Sequence, residues 1–155
     1  MIKLFRSWIK RLTRRPSEHE WAFLVALAIS TRGECTRRQV GALIVDAQNR
    51  IVGAGYNGTY RGGPNCLGGA CPRALSDVES GSSYDTGPGA CIAVHAELNA
   101  LLDVSDRKRL ESSELYVTAR PCDGCLKIIR NTQIYRVLWL DEEGNVDSAV
   151  WPFVR

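Results

Sequence analysis

Two short groups of metal-ligating residues constrain this chain more than any other feature of its sequence. The first is His95-Ala96-Glu97, and the second, Pro121-Cys122-Asp123-Gly124-Cys125, begins 24 residues later. Either group alone is a weak signal, because a lone histidine is usually structural and a CxxC pair has several uses. Each group opens a predicted helix after a loop or strand, and together they predict one site to which both segments contribute.

We predict that this site is a catalytic Zn²⁺ centre held by His95, Cys122 and Cys125. One imidazole and two thiolates leave the fourth zinc position for water, as in catalytic sites. A helical first turn places the two sulfurs on one face, and the helix N-terminus is expected to lower both thiol pKa values. Zinc lowers the pKa of its water toward about 7, and Glu97, beside the metal, would move the protons. The alternative, a structural zinc site with Glu97 on the surface, would require a fourth ligand nearby.

The periodicity of apolar residues predicts alternating helices and strands. A capping box formed by Ser17 and Glu20 begins a helix that runs to about residue 31. The last two strand connections are helical crossovers, so those strands are expected to be parallel. The fold class is therefore α/β, a three-layer α/β/α domain with a mixed central sheet. The further predicted helices cover about residues 93–104 and 122–131, and the predicted strands cover 40–46, 51–56, 114–119 and 134–140.

The N-terminal segment differs in charge from the rest of the chain. Six of the 20 basic residues lie in residues 1–15, which hold no acid, and residues 2–15 have the spacing of an amphipathic helix. We expect residues 1–16 to be a basic extension and residues 17–155 a single domain. Two interpretations stay open: a solvated or loosely docked extension, or a surface that contacts anionic membrane or nucleic acid. The remaining 14 basic and 17 acidic residues argue against a nucleic-acid-binding body.

Longer stretches around the two groups resemble the deoxycytidylate deaminases. The stretches are CTRRQVGALIVD (35–46), GAGYNGTYRGGPNC (53–66), CIAVHAELNALL (91–102) and LYVTARPCDGCLKII (115–129). HAELNA, and YNG followed by GGPNC, separate that family from deaminases of free nucleosides, tRNA adenosine or guanine, and H-x-E with P-C-x-x-C is the general signature of zinc deaminases. The resemblance covers about residues 17–141. It implies the cytidine-deaminase-like fold and the zinc-dependent hydrolysis of dCMP to dUMP and ammonia.

The same resemblance implies substrate contacts. Asn57 stands at the family position that hydrogen-bonds the deoxyribose. Thr118, Ala119 and Arg120 would line the pocket and hold the base through backbone groups. Arg61, or another cationic group near the Gly-rich loop, would suit the 5′-phosphate. Arg120 departs from the small or aromatic residue of other members, which puts the exact substrate, rather than the reaction, in doubt.

Four cysteines remain after the catalytic pair: Cys35, Cys66, Cys71 and Cys91. Most lie in a loop-like, Cys-rich insertion at about residues 57–91, too long to stay structureless without being tied down. Four thiolates make a complete structural zinc site, so we expect a second Zn²⁺, although some relatives use a histidine as one ligand. The alternative is that some of them are buried apolar cysteines. Disulfides are not expected, because the N-terminus lacks the apolar segment of a signal peptide, and we expect a cytoplasmic protein (in the host cytoplasm if phage-encoded).

Several alternatives and partners complete the prediction. The same active-site residues would serve deamination of dCTP or of a modified cytosine nucleotide. A single-stranded nucleic-acid deaminase is disfavoured by the acidic body, and a non-catalytic zinc-containing nucleotide sensor would not need Glu97.

The resemblance implies dCTP and dTTP as effectors and a homo-oligomer, often a hexamer. No membrane insertion is expected, and the chain, short after its last recognisable strand, is expected to lack the final strand and helix of longer relatives.

Overall fold

The computed structural model describes residues 14–79, 82–84 and 86–151. Its centre is one five-stranded sheet in the order β2-β1-β3-β4-β5. The strands are β1 (Gly41–Val45), β2 (Ile51–Tyr56), β3 (Glu114–Val117), β4 (Arg136–Leu140) and β5 (Val146–Val150). The helices are α1 (Glu18–Ser30), α2 (Pro72–Leu75), α3 (Ala96–Asp103) and α4 (Asp123–Ile129). A π-helical turn (Cys66–Ala70) precedes α2, and a 3₁₀ turn (Arg107–Leu110) lies between α3 and β3.

The sheet is mixed, as predicted. Strand β1 pairs antiparallel with both β2 and β3, so β2 and β3 run in the same direction. Strands β3 and β4 are parallel neighbours, with Leu115 opposite Val137. The parallel direction expected of the strands joined by helical crossovers is therefore confirmed.

Two apolar clusters cover the two faces of the sheet. On one face Phe23 of α1 packs with Leu43 of β1, and both are fully buried. On the other face Ala100 of α3 and Ile129 of α4 pack with Val117 of β3. Alternate residues of β1, β3 and β4 thus pack in opposite clusters, as the period of a strand requires. The three-layer α/β/α architecture is confirmed.

Helix α1 begins at the predicted capping box. The Ser17 hydroxyl accepts a hydrogen bond from Glu20 N at 3.3 Å, and the Glu20 carboxylate accepts one from Ser17 N at 2.7 Å. The backbone N–H of Ser17, followed by the guanidinium of Arg14, lowers the pKa of Glu20 to about 2. Both orphan N–H groups at the helix start are satisfied, as a capping box predicts.

A glycine in β2 lets helix α3 lie directly on the strand backbone. A Cβ atom built on Gly55 would lie 2.3 Å from the backbone nitrogen of Ala100 and 2.4 Å from the carbonyl oxygen of Ala96. No side chain fits in that space, and the atoms in the way are backbone atoms that cannot rotate aside. The lack of a side chain therefore fixes the position of α3 relative to the sheet.

The sequence-based boundaries fail at two places. The expectation that the chain lacks a final strand is wrong, because Val146–Val150 forms β5, which pairs antiparallel with β4. Helix α3 begins at Ala96, later than expected, because His95 is its N-cap and has extended backbone angles. The predicted amphipathic helix falls almost wholly in residues 1–13, outside the described residues. None of the described helices combines the length and the apolar character needed to cross a membrane.

Candidate active site

Three of the predicted ligands converge on one point. The Nδ1 atom of His95 lies 3.4 Å from the sulfur of Cys122 and 3.3 Å from the sulfur of Cys125. All three ligand atoms lie within 4.8 Å of one another. Tetrahedral zinc with bonds of about 2.0 Å to nitrogen and 2.3 Å to sulfur separates such atoms by about 3.5 Å. The donor set therefore fits zinc and leaves a fourth position for water or substrate.

Two helix N-termini bring these ligands together. His95 is the N-cap of α3, with φ −69° and ψ 153°. Cys122 is the N-cap of α4, and its sulfur accepts a hydrogen bond from Cys125 N at 3.4 Å. An extended N-cap residue aims its side chain across the end of the helix. The positive ends of both helix dipoles therefore lie at the cluster of His95, Cys122 and Cys125.

Glu97 lies in the first turn of α3, two residues after the histidine ligand. It is 4% exposed and lines the cavity beside His95. Burial raises the pKa of its carboxyl, and the positive charge of His95 opposes that rise. A carboxyl whose pKa lies above its usual range holds a proton more readily and suits general acid–base catalysis.

The pKa of the Cys125 thiol is higher than the sequence analysis predicts. Burial, together with the negative charges of Glu97 and Cys122, raises its pKa. The prediction that the helix N-terminus lowers both thiol pKa values is therefore wrong for Cys125, where desolvation outweighs the dipole. A divalent cation offsets this effect directly, since metal coordination deprotonates a thiol.

A cavity of about 370 Å³ opens above the metal ligands. Its volume lies in the range of small-molecule sites. It brings together most of the residues predicted from the sequence: Asn57, His95, Glu97, Ala119, Arg120 and Cys122. Its walls also carry Cys35, Cys71 and Cys91 of the predicted second metal site.

The side-chain amide of Asn57 is hydrogen-bonded to backbone groups at both its oxygen and its nitrogen. Its side-chain oxygen accepts a hydrogen bond from Val40 N, and its amide nitrogen donates one to Arg38 O, each at 2.8 Å. An amide of this kind has two donors and two acceptor positions, so one of each is left for a ligand. The contacts fix the orientation of the amide at the cavity wall.

Two predicted substrate residues lie outside this cavity. The hydroxyl of Thr118 accepts a hydrogen bond from Gly41 N at 3.0 Å, and Thr118 lines a neighbouring cavity of about 460 Å³ that shares Ala119 and Arg120. Arg61 is exposed and is not among the described residues that line the first cavity. The structure therefore places the cationic lining elsewhere.

Most of the cationic lining was missed by the sequence analysis. Besides the predicted Arg120, it consists of Arg37 and Arg38, before β1, and Arg73, in α2. Arg37 and Arg38 lie within the CTRRQVGALIVD stretch, where no local pattern distinguishes an arginine that lines a cavity from one in solvent. Arg73 lies in the loop-like insertion, where nothing in the sequence separates a buried arginine from a surface one.

An aromatic side chain joins Arg73 to the metal site. The ring of Tyr84 meets the ring of His95 edge-on, at an interplanar angle of 81° and a centroid distance of 5.9 Å. The guanidinium carbon of Arg73 lies 4.5 Å from the centroid of Tyr84. The loop-like insertion thus supplies one wall of the cavity.

The remaining four cysteines are neighbours. Burial, followed by the hydrogen bond to Cys71 and the charges of Cys71, Cys35 and Cys91, raises the pKa of the Cys66 thiol to about 12. The sulfur of Cys35 also accepts a hydrogen bond from Arg37 N at 3.4 Å. Within the described part of the chain, three ligand atoms gather as closely as 4.8 Å only at the first site. All six cysteines are free thiols.

Comparisons with known sequences agree with this geometry. The family described as "Cytidine and deoxycytidylate deaminase zinc-binding region" matches residues 16–141. The deoxycytidylate deaminase of Mycobacterium phage D29 is 42% identical over 83% of this chain and 98% of its own length. The deoxycytidylate deaminase of Schizosaccharomyces pombe is 36% identical over 86% of this chain, and the match spans 40% of that relative.

A solved structure has the same fold. The dCMP deaminase of cyanophage S-TIM5, crystallised in complex with dCMP and dUMP, matches with a TM-score of 0.60 and 31% identity. The match covers 81% of this chain and 82% of that one. At this identity and coverage the likeness extends to sequence as well as to fold.

Proposed function

Since the chain belongs to the cytidine and deoxycytidylate deaminase family, we propose that it catalyses the zinc-dependent hydrolysis of dCMP to dUMP and ammonia. The observation that carries the proposal is the convergence of His95, Cys122 and Cys125 beside Glu97 in a cavity of about 370 Å³. Similarity to the phage and yeast deoxycytidylate deaminases supports the choice of substrate.

The residues of this chain have distinct roles in that reaction. His95, Cys122 and Cys125 hold the ion, and zinc bound there supplies an activated water for attack on C4 of cytosine. Glu97 takes up in turn the two protons of the attacking water and delivers one to the ring nitrogen and one to the departing amine. Its burial keeps bulk water from competing for those protons. Water is consumed and ammonia released, so the atoms balance.

The test is ammonia release from dCMP, dCTP, cytidine and a short single-stranded DNA by the full chain, with zinc counted on the same sample. We expect selective turnover of dCMP. Preferential turnover of dCTP or of the DNA would show that the enzyme deaminates another cytosine substrate. A zinc-loaded protein that deaminates none of them would contradict the proposal.

The chain also holds, in this proposal, a second, structural zinc at Cys35, Cys66, Cys71 and Cys91. The mutual influence of these thiols on the pKa of Cys66 supports it. So does the hydrogen bond from Arg37 N to the Cys35 sulfur, which stabilises the anionic form of the ligand. A metal there would tie the loop-like insertion to the start of β1.

We expect Cys66→Ser to reduce the zinc content from two ions to one per chain and to lower the melting temperature while dCMP turnover persists. Cys125→Ser is the matched contrast: it would remove the other ion and abolish turnover. Zinc by elemental analysis and melting by calorimetry make the measurement. An unchanged zinc content in Cys66→Ser would refute the second site.

Assembly, control and location complete the proposal. We infer a homo-oligomer, a hexamer in the form common to the family, with dCTP and dTTP as effectors, in the cytoplasm. The six free thiols suit a reducing compartment. Light scattering of the zinc-loaded chain, with and without each triphosphate, tests assembly, and a monomer with unaltered turnover would contradict both inferences.

A further inference from the structure

The chemistry described above gives no role to Asn99, the asparagine of the HAELNA stretch. Asn99 lies in α3, one helical turn after His95, and its backbone N–H donates to the His95 carbonyl oxygen at 3.0 Å. It is partly buried and is not among the described residues that line the cavity. Any effect of Asn99 on the reaction therefore passes through other residues.

The side-chain amide of Asn99 is hydrogen-bonded to the backbone of two other segments. Its nitrogen donates to the carbonyl oxygen of Tyr56 at 2.8 Å and, at the longer distance of 3.5 Å, to that of Val94. An amide nitrogen carries two N–H groups, so each acceptor has its own donor. Tyr56 is the residue before Asn57, and Val94 is the residue before His95. One side chain thus joins the segment of a predicted substrate contact to that of a metal ligand.

An isolated β-bridge joins the same two segments. The N–H of Gly58 donates to the carbonyl oxygen of Val94 at 3.1 Å, and the N–H of Val94 donates to that of Gly58 at 2.8 Å. Gly58 follows Asn57 directly, so both chain neighbours of Asn57 are hydrogen-bonded to residues at or beside α3. The position of the main chain at Asn57 therefore depends on α3.

The two segments that Asn99 joins are not held equally well by other contacts. Helix α3 lies on the backbone of β2 at Gly55, where an added Cβ atom would be 2.3 Å from Ala100 N. Strand β2 ends at Tyr56 and lies at the edge of the sheet, where a strand has a ladder partner on one side only. Loss of the Asn99 amide is therefore expected to loosen the turn at Asn57 and to leave α3 in place.

We propose that Asn99 is a positioning residue, which holds Asn57 at a set distance from the metal ligands so that the Asn57 amide meets the deoxyribose of the bound nucleotide. This inference rests on the proposed function, because the sugar is that of dCMP. It gives the asparagine of HAELNA a part in substrate recognition without any contact to the substrate.

The test compares two ligands that differ in the one sugar hydroxyl of dUMP, at C3′. They are dUMP and 2′,3′-dideoxyuridine monophosphate, and each is titrated by calorimetry into the zinc-loaded full chain. We expect Asn99→Ala to weaken dUMP binding about three- to tenfold, as the loss of one well-placed hydrogen bond predicts. Binding of the dideoxy nucleotide should change less than about twofold, since it lacks the hydroxyl that Asn57 would meet. Asn99→Leu, which keeps the size of the side chain without its donors, should behave like Asn99→Ala.

Asn131→Ala is the matched control. The Asn131 amide nitrogen also donates to a backbone carbonyl oxygen, that of Lys127 at 2.9 Å, but Asn131 is exposed and outside the described lining of the cavity. This variant should bind both ligands like the wild type. The zinc content of Asn99→Ala should also stay that of the wild type, because α3 keeps its place.

Equal weakening of both ligands in Asn99→Ala, or unchanged dUMP binding, would overturn the inference, as would a wild type that binds the two ligands equally. A fall in zinc content would show that Asn99 supports the metal site instead. These outcomes concern binding and metal content, so they are distinct from a failure of the wild type to deaminate dCMP, which would contradict the proposed function itself.

Discussion

Glu97 combines burial with a place beside the metal ligands. It is 4% exposed, and it is the single carboxylate among the described residues lining the cavity. In the proposed function its neighbours His95 and Cys122 hold the zinc ion, which leaves neither free to exchange protons with a substrate. At the residue scale, proton transfer therefore depends on one side chain.

We expect Glu97→Gln to keep its zinc and to lose dCMP turnover by about 10²- to 10⁴-fold, because the amide cannot accept the proton. Steady-state ammonia release and zinc content on the same sample make the measurement. Glu111→Gln, an exposed change outside the cavity, is the control and should retain wild-type turnover. A Glu97→Gln protein with more than a tenth of wild-type activity would assign the proton transfer to another group.

At the scale of elements, local signals predicted what local physics determines. Helix α1 starts at its capping box because Ser17 and Glu20 satisfy the orphan N–H groups by themselves. Strand β1 was predicted because all its residues are buried and apolar. The metal ligands were predicted for the same reason, because H-x-E and the CxxC pair are short local patterns that together indicate a zinc site.

Other elements depend on contacts distant in sequence. Strand β5 was missed because most of its residues are exposed, so Val146–Val150 carries little apolar pattern, and its pairing with β4 defines it. Arg73 and Tyr84 were missed because they meet only when the loop folds over His95. Tertiary contacts of this kind have no counterpart in a local pattern.

The packing of α3 on β2 gives a prediction at this scale. Gly55→Ala would place a methyl group 2.3 Å from the backbone of Ala100, so we expect a loss of about 1–3 kcal/mol in unfolding free energy from overpacking. Turnover should fall as well, because α3 carries His95 and Glu97. Chemical denaturation gives the free energy.

Gly58→Ala is a suitable comparison for that variant. Its new methyl group would meet the side chain of Glu34 at 3.2 Å, and a side chain can move where backbone cannot. We expect it to be the milder of the two changes. Equal stability of the two variants would show that α3 has room to shift.

At the scale of the whole molecule, the basic N-terminal segment contrasts with the acidic remainder. Arg14, its first described residue, pairs with Glu20 at 2.9 Å on the surface, where such pairs contribute little. The family match begins at residue 16. We propose accordingly that the deaminase domain begins at about residue 17, with residues 1–16 as an extension.

Deleting residues 1–15 is expected to leave kcat and KM for dCMP within about twofold, because surface pairs of this type contribute at most about 1 kcal/mol. The deletion would also separate the two interpretations of the extension. Binding of the full chain, but not the shortened one, to anionic vesicles or to DNA would identify it as a contact surface. A large fall in kcat on deletion would instead place the segment within the catalytic unit.

The cavity is formed by regular helices on one side and by the loop-like insertion on the other. Helices α3 and α4, seated on the sheet, carry the metal ligands, whereas the segment that contains Arg73 and Tyr84 forms the facing wall. In evolutionary terms this arrangement is modular, since the wall can diverge while the helix-borne groups are inherited unchanged. Exchanging residues 57–91 between relatives should therefore transplant substrate preference without rebuilding the reaction.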